Sequence, residues 1–222
     1  MINLIEILIK LKELGYDNIS QDNWWWPNSG TFEVVVGAIL TQNTKWENVQ
    51  KSLNNLKQNN TLSLEKFLNI DIELLQHLIT PSGFYKQKSR YLKDISTNIL
   101  KDYKSFEEFK ESATREWLLN QRGIGQESAD AILNYACYKE AFVVDAYTNR
   151  LLKAFDYEFE SYNELQDWMI ENLYTNYTQI YPTLNRANAY ARIHGMIVEY
   201  VKANSKGKVV DVGELKIYEI RG

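Results

Sequence analysis

Cysteine occurs once in this chain, at Cys137, and proline three times in 222 residues. One cysteine cannot build a disulfide framework, a four-cysteine zinc site or a cysteine-ligated iron–sulfur cluster. Three prolines and ten glycines favour long helices over a β-rich fold with many turns. No apolar run approaches membrane-spanning length. The start, Met1-Ile2-Asn3-Leu4-Ile5-Glu6, lacks the pattern of a signal peptide, so a soluble cytoplasmic protein is expected. Net positive charge is missing too: 25 Lys and Arg against 29 Asp and Glu leave −4. Generic nucleic-acid binders are usually basic, so a role on DNA must come from a local motif rather than from bulk charge.

Hydrophobic residues make up 45% of the chain, enough for one compact domain or two small lobes. Their spacing is helical nearly throughout, which predicts an all-α fold. Leu4, Leu8 and Leu11 share one face, and Phe32, Val35, Val36, Ile39 and Leu40 follow the pattern of a buried helix. Leu92, Ile95 and Ile99 mark another helix, and Leu184 to about Lys202 reads as the last large one. Ser105-Phe106-Glu107-Glu108 and Ser161-Tyr162-Asn163-Glu164 read as capping boxes. Three stretches are expected to be non-helical: Asp22 to Gly30, Thr80 to Gly83, and the tail from Asn204. In the tail Val210, Val212, Leu215, Ile217 and Ile220 fit no single helical face, and a short strand is the expectation.

The segment Leu118-Leu119-Asn120-Gln121-Arg122-Gly123-Ile124-Gly125-Gln126-Glu127-Ser128-Ala129-Asp130 places Gly-Ile-Gly between two helices. Such a turn bares backbone amides at a helix start, where phosphate binds, and no side chain blocks a DNA strand. A plain glycine-capped connection accounts for the turn equally well. Twenty residues after Gly125, the apolar run Phe142-Val143-Val144 delivers Asp145 just ahead of a helical pattern. Asp145 is there either as an N-cap or as a catalytic carboxylate whose ionised form the helix start favours. Six tryptophans are many for this length, and no period can bury all of Trp24-Trp25-Trp26 against one core. A base extracted from DNA needs such flat walls, and a cationic base gains further from cation–π attraction. An aromatic plug in a core is the competing reading.

Taken together, the Gly-x-Gly hairpin, the Ala-rich helix after it, Val144-Asp145 and Arg150 resemble the signature of the endonuclease III superfamily of helix-hairpin-helix DNA glycosylases. Leu40-Thr41-Gln42-Asn43-Thr44, Gly83-Phe84-Tyr85-Lys86-Gln87-Lys88 and His194-Gly195 extend the likeness. Trp24-Trp25-Trp26-Pro27, Lys45-Trp46-Glu47, Pro81-Ser82 and Thr114-Arg115-Glu116-Trp117-Leu118-Leu119 are most similar to its 3-methyladenine DNA glycosylase subgroup.

The resemblance implies two helical lobes with the active-site cleft between them, in a single glycosylase unit. One lobe spans about 31–136 and ends in the hairpin at 118–136. The other joins 1–30 to 137–203 and carries the aspartate, and 204–222 is a C-terminal tail. It implies base excision repair on double-stranded DNA carrying an alkylated purine, by a nucleoid-associated monomer. The same fold could instead act on a mismatched or deaminated base, or only grip DNA. Asp145 would be catalytic. Trp25, Trp26, Pro27, Trp46 and Glu127 would line the base pocket. Gln42, Lys88, Arg122, Gly123, Gly125 and Gln126 would contact DNA, with Gln42 filling the gap left by the flipped base. Carbonyls of Leu119, Gln121 and Ile124 would hold a K+ or Na+ ion. Lys86, Lys88, Arg90 and Lys93 form a basic cluster that serves DNA or is a solvated helix face.

Two departures from the family carry information. Bifunctional members place a lysine nucleophile two residues after the second hairpin glycine. Glu127 stands there, so a water-using enzyme without AP-lyase activity is expected. Many relatives also hold an iron–sulfur cluster through four cysteines, the first near Glu199, and this chain has no cysteine beyond Cys137.

Overall fold

The computed structural model describes residues 3–18, 20 and 22–216. Helix α1 (Leu4–Glu13) opens the chain. It is followed by α2 (Phe32–Leu40), α3 (Trp46–Gln58), α4 (Leu64–Asn69) and α5 (Ile72–Leu78). A 3-10 turn at Thr80–Ser82 leads to α6 (Tyr85–Tyr103), α7 (Phe106–Ser112), α8 (Arg115–Leu119) and α9 (Gln126–Ala131), which runs on as a π turn at Ile132–Ala136. Then come α10 (Ala146–Lys153), α11 (Tyr162–Leu173), α12 (Tyr177–Ile180) and α13 (Arg186–Ala203). Two-residue strands β1 (Ser205–Lys206) and β2 (Val209–Val210) precede α14 (Gly213–Lys216). The fold is all-α. Among the described residues no helix is long and apolar enough to cross a membrane.

The chain divides into two compact units, Asn28–Tyr138 and Met1–Pro27 with Lys139–Gly222. The first is built around α2, all nine residues of which are buried. A helix that is apolar but for one paired acid, Glu33, belongs in a core, and α3, α6 and the π turn pack on it. Starts are set by side-chain caps: Ser63, Asp71, Ser105 and Thr114 accept from backbone amides at the heads of α4, α5, α7 and α8.

The second unit buries Ile7, Leu8 and Leu11 of α1 with Leu151 and Leu152 of α10, Met169 of α11 and Ile193 and Ile197 of α13. Each such side chain taken from water contributes about 1.5–3 kcal/mol. Its tail holds the expected short strand as one arm of a hairpin and then turns helical. β1 and β2 make a short antiparallel hairpin, Ser205 opposite Val210 and Lys206 opposite Val209, and α14 follows. Val210, Val212 and Leu215 all enter the same core, one from a strand, one from the irregular link after it and one from a helix. That change of conformation is why they match no single helical face. Ile217 and Ile220 lie outside the described residues.

Candidate active site

Val143 and Val144 are buried and anchor the chain as it reaches α10. Asp145 is the N-cap of that helix. Its Oδ1 accepts from the backbone N–H of Tyr147 at 2.9 Å and of Thr148 at 2.8 Å, and from the Thr148 hydroxyl at 3.1 Å. Its Oδ2 points elsewhere, 3.4 Å from Nε2 of His194. The two readings of Asp145 are therefore not exclusive: one oxygen caps the helix and the other is presented to a second group. Burial pushes the Asp145 carboxyl up, but the nearby His194 imidazole and the Thr148 donors outweigh it. The net direction is downward, so the acid is held as a carboxylate.

His194 comes from α13, which packs on α10, and is 4% exposed. Its ring meets the Trp25 indole edge to face, with centroids 5.3 Å apart and planes at 87°. The next residue, Gly195, lies directly under that indole: a Cβ there would stand 2.2 Å from Trp25 Cγ. One turn on, Glu199 Oε1 accepts from Trp25 Nε1 at 3.2 Å. Trp25 reaches this place through a left-handed backbone, φ 68°. The strain is held by the Trp25 N–H on the Asp22 carbonyl at 2.9 Å and the Ser20 hydroxyl on the Trp25 carbonyl at 2.7 Å. Trp26 is 8% exposed and stands perpendicular to Trp25. Trp24 is half-buried and Pro27 exposed. The arrangement within this unit is an ionised carboxylate and an indole wall, both against one imidazole.

In the other unit Trp46 is half-buried at the head of α3, and Glu127 is exposed in the first turn of α9. Gly123, φ 81°, is required by packing, since a Cβ would stand 2.2 Å from the Tyr91 ring. Gly125 differs. It is the N-cap of α9, and its missing Cβ faces open space, so packing within the chain does not demand glycine there. Arg122 is exposed and Gln126 half-buried beside it. Leu119 is 36% exposed, and the Gln121 carbonyl accepts from the Ile124 N–H at 3.1 Å. Among the described residues no group of three or more His, Cys, Asp or Glu could hold a metal ion. A monovalent ion on hairpin carbonyls would need none of these.

Gln42 follows the end of α2 and does not hang free. Its Nε2 donates to the Gly123 carbonyl at 2.8 Å and to the Ser128 hydroxyl at 3.0 Å, bracing the hairpin.

Lys88, a residue expected to contact DNA, lies in the interior of its unit. It is 3% exposed, and its Nζ donates at 2.8 Å to the Leu40 carbonyl, the Thr44 hydroxyl and the Ser82 carbonyl. All three ammonium donors are used within the chain. Lys88 ties the end of α2 to the turn before α6. Lys93 donates to the Leu68 and Ile70 carbonyls, leaving Lys86 and Arg90 exposed.

Three residues named in the sequence were given no role in the site. His194 and Glu199 meet their partners only through tertiary contacts. Phe84 is 66% exposed in a left-handed conformation, φ 46°, at the head of α6; a glycine before an aromatic was the available signal.

The HhH-GPD superfamily of base excision DNA repair proteins matches this chain over residues 36–165. A Methanocaldococcus jannaschii protein named as a DNA repair glycosylase is 37% identical over 215 residues, 94% of this chain and 93% of that one. The crystal structure of H. pylori 3-methyladenine DNA glycosylase bound to 1,N6-ethenoadenine is similar with a TM-score of 0.85 and 46% identity. It spans 92% of this chain and 100% of that one. A non-covalent endonuclease III–DNA complex, at 16% identity and a TM-score of 0.72, spans 96% of this chain and 92% of that one and shares the fold.

Proposed function

Starting from the fact that the chain is a DNA glycosylase of the HhH-GPD superfamily of base excision DNA repair proteins, we propose that it hydrolyses the N-glycosidic bond of alkylated purines such as 3-methyladenine. The observation that carries this reading is the Asp145 carboxylate, held ionised by one capped oxygen and by His194, with the Trp25 indole on the same imidazole. The 46% identity to a 3-methyladenine glycosylase supports the same substrate class.

A purine alkylated at N3 or N7 already carries a positive charge, so it leaves without being protonated. As the bond from C1′ to nitrogen breaks, the base departs neutral and the sugar takes the charge. Water adds to C1′ and loses a proton. Asp145 stabilises the cationic sugar and orients that water. An aromatic wall holds the flipped cationic base by stacking and cation–π attraction, worth about 0.5–2 kcal/mol. Trp25 and Trp26 serve as this wall, and Pro27, Trp46 and Glu127 are the further pocket candidates. The hairpin amides at Gly123 and Gly125, with Arg122 and Gln126, grip phosphate. The open space at Gly125 supports that role. Carbonyls of Leu119, Gln121 and Ile124 would hold a K+ or Na+ ion bridging to phosphate. Gln42 fills the gap in the duplex, and Phe84 serves as an apolar wedge. The enzyme acts as a monomer on nucleoid DNA.

The decisive test is release of free 3-methyladenine from methylated DNA, with Asp145→Asn beside the parent. The variant should bind DNA and release nothing. Normal release by Asp145→Asn would refute the reading, and oligonucleotides with single lesions, 1,N6-ethenoadenine among them, would set the substrate range. An AP-lyase step needs an amine on C1′, and Glu127 supplies none. Abasic-site DNA should therefore not be trapped on the protein by borohydride.

A further inference from the structure

We propose that His194 is a positioning residue of the excision reaction, coupling the carboxylate of Asp145 to the indole of Trp25. This inference rests on the reading of Asp145 as the catalytic carboxylate. The carboxylate is anchored at one oxygen and faced by an imidazole at the other. Three donors from Tyr147 and Thr148 converge on Oδ1, and Nε2 of His194 faces Oδ2. The donors on Oδ1 place that atom, and His194 sets the swing of the other oxygen about it.

The imidazole is itself clamped. It is 4% exposed on a helix whose next residue, Gly195, is in contact with the Trp25 ring. Trp25 cannot slide away from it, because its Nε1 is held by Glu199 and its carbonyl by Ser20. A histidine ring can meet an indole edge to face and present an N–H to a carboxylate from the same plane. Neither a phenylalanine nor a short amide can do both. The separation of 3.4 Å exceeds the length of a formed charge-assisted hydrogen bond, and catalytic contacts are often long until substrate binds. A base stacked on Trp25 would press on the ring that faces Asp145. Occupancy of the pocket and orientation of the carboxylate are thus read by one side chain.

The test is single-turnover excision from methylated DNA, with DNA affinity measured beside it. His194→Phe keeps a ring against Trp25 and loses the N–H. His194→Gln places an amide nitrogen near the position of Nε2, and His194→Asn is too short to reach. His194→Phe should slow excision about 10- to 100-fold, the cost of a misplaced catalytic group, with DNA affinity within about threefold of the parent. His194→Gln should recover most of that loss. Excision by His194→Phe within about twofold of the parent would overturn the proposal. If His194→Phe does not fold, Gln against Asn decides: faster excision by Gln at equal affinity supports the role, and equal rates overturn it. Asp145→Asn separates the two claims. If that variant is inactive while His194→Phe is normal, only the role of His194 fails. If Asp145→Asn is active, the reading of Asp145 has failed.

Discussion

Gly195 and Trp25 are in direct contact, so close that a Cβ on residue 195 would stand within 2.2–2.6 Å of three ring atoms of the indole. Gly195→Ala must therefore move Trp25 or α13. Overpacking of this kind costs about 1–3 kcal/mol, and here the ring displaced is the proposed wall of the base site. The variant should fold, bind undamaged DNA through the hairpin with near-parental affinity, and excise 3-methyladenine more slowly by about tenfold or more. Thermal unfolding, DNA binding and single-turnover release give the three readouts. Parental excision by Gly195→Ala would remove Trp25 from the pocket.

Gln42 offers a contrast between two roles. As a filler of the gap left by a flipped base, it matters only where a base has left the stack. As a brace, its two hydrogen bonds to Gly123 and Ser128 hold the hairpin in every state, each worth about 0.5–1.5 kcal/mol. Gln42→Ala is expected to weaken binding to undamaged as well as abasic-site duplexes and to lower the stability of the protein by about 1–2 kcal/mol. Loss confined to abasic-site DNA, with stability unchanged, would leave gap filling alone.

Local pattern made the helices and the hairpin legible, because apolar period and capping residues act over a few positions. Ser105 and Ser161 do cap α7 and α11 through the backbone N–H of Glu108 and Glu164. Glu164 then reaches the Glu160 N–H rather than that of Ser161, a displacement no spacing rule anticipates. Contacts between distant segments were not legible. His194 beside Asp145, and Glu199 on Trp25, exist only because α10 packs on α13 and because Trp25 takes a left-handed backbone. Lys88 shows a signal that was present and overridden. It shares the inner face of α6 with Leu92, Ile95 and Ile99, four and seven and eleven residues on. Grouping it with neighbouring charges hid that period.

Asp130 of α9 is 1% exposed and takes a forked pair from Arg115 of α8, Nε to Oδ1 at 2.8 Å and a guanidinium NH2 to Oδ2 at 3.1 Å. The two helices of the hairpin are tied by this fork, whose geometry lysine cannot copy. Removing one partner leaves a buried charge without its counter-ion, which costs on the order of 3 kcal/mol. Arg115→Ala should lower stability by about that amount and weaken DNA binding, and Arg115→Lys should recover little. Arg115→Ala combined with Asp130→Asn should be more stable than Arg115→Ala alone, since the uncompensated charge is gone. Denaturant unfolding of the three variants checks this, and a doubly substituted protein no more stable than Arg115→Ala would deny the buried charge its cost.

Lys88 gives the clearest pH dependence. Burial lowers its pKa from 10.5 in the exposed side chain to about 8 in the folded protein. Between those values the unfolded chain binds a proton that the folded chain does not, so stability rises with pH across that window. Below about pH 8 both states are protonated and the contribution is flat; above about pH 10.5 both are neutral and it is flat again. Lys88→Met removes the titration while keeping a long side chain. The stability of the parent relative to Lys88→Met should climb by about 2 kcal/mol from roughly pH 7.5 to pH 9.5, read from urea unfolding of both proteins in matched buffers. A difference that stays level would mean that the three acceptors around Nζ compensate fully for the lost hydration. A difference that falls would mean that the ammonium is favoured over its hydrated form, reversing the sign. The climbing result also bears on function. The same ammonium holds the Leu40 carbonyl and the Thr44 hydroxyl on either side of Gln42, so DNA affinity should weaken over the pH range in which Lys88 loses its proton.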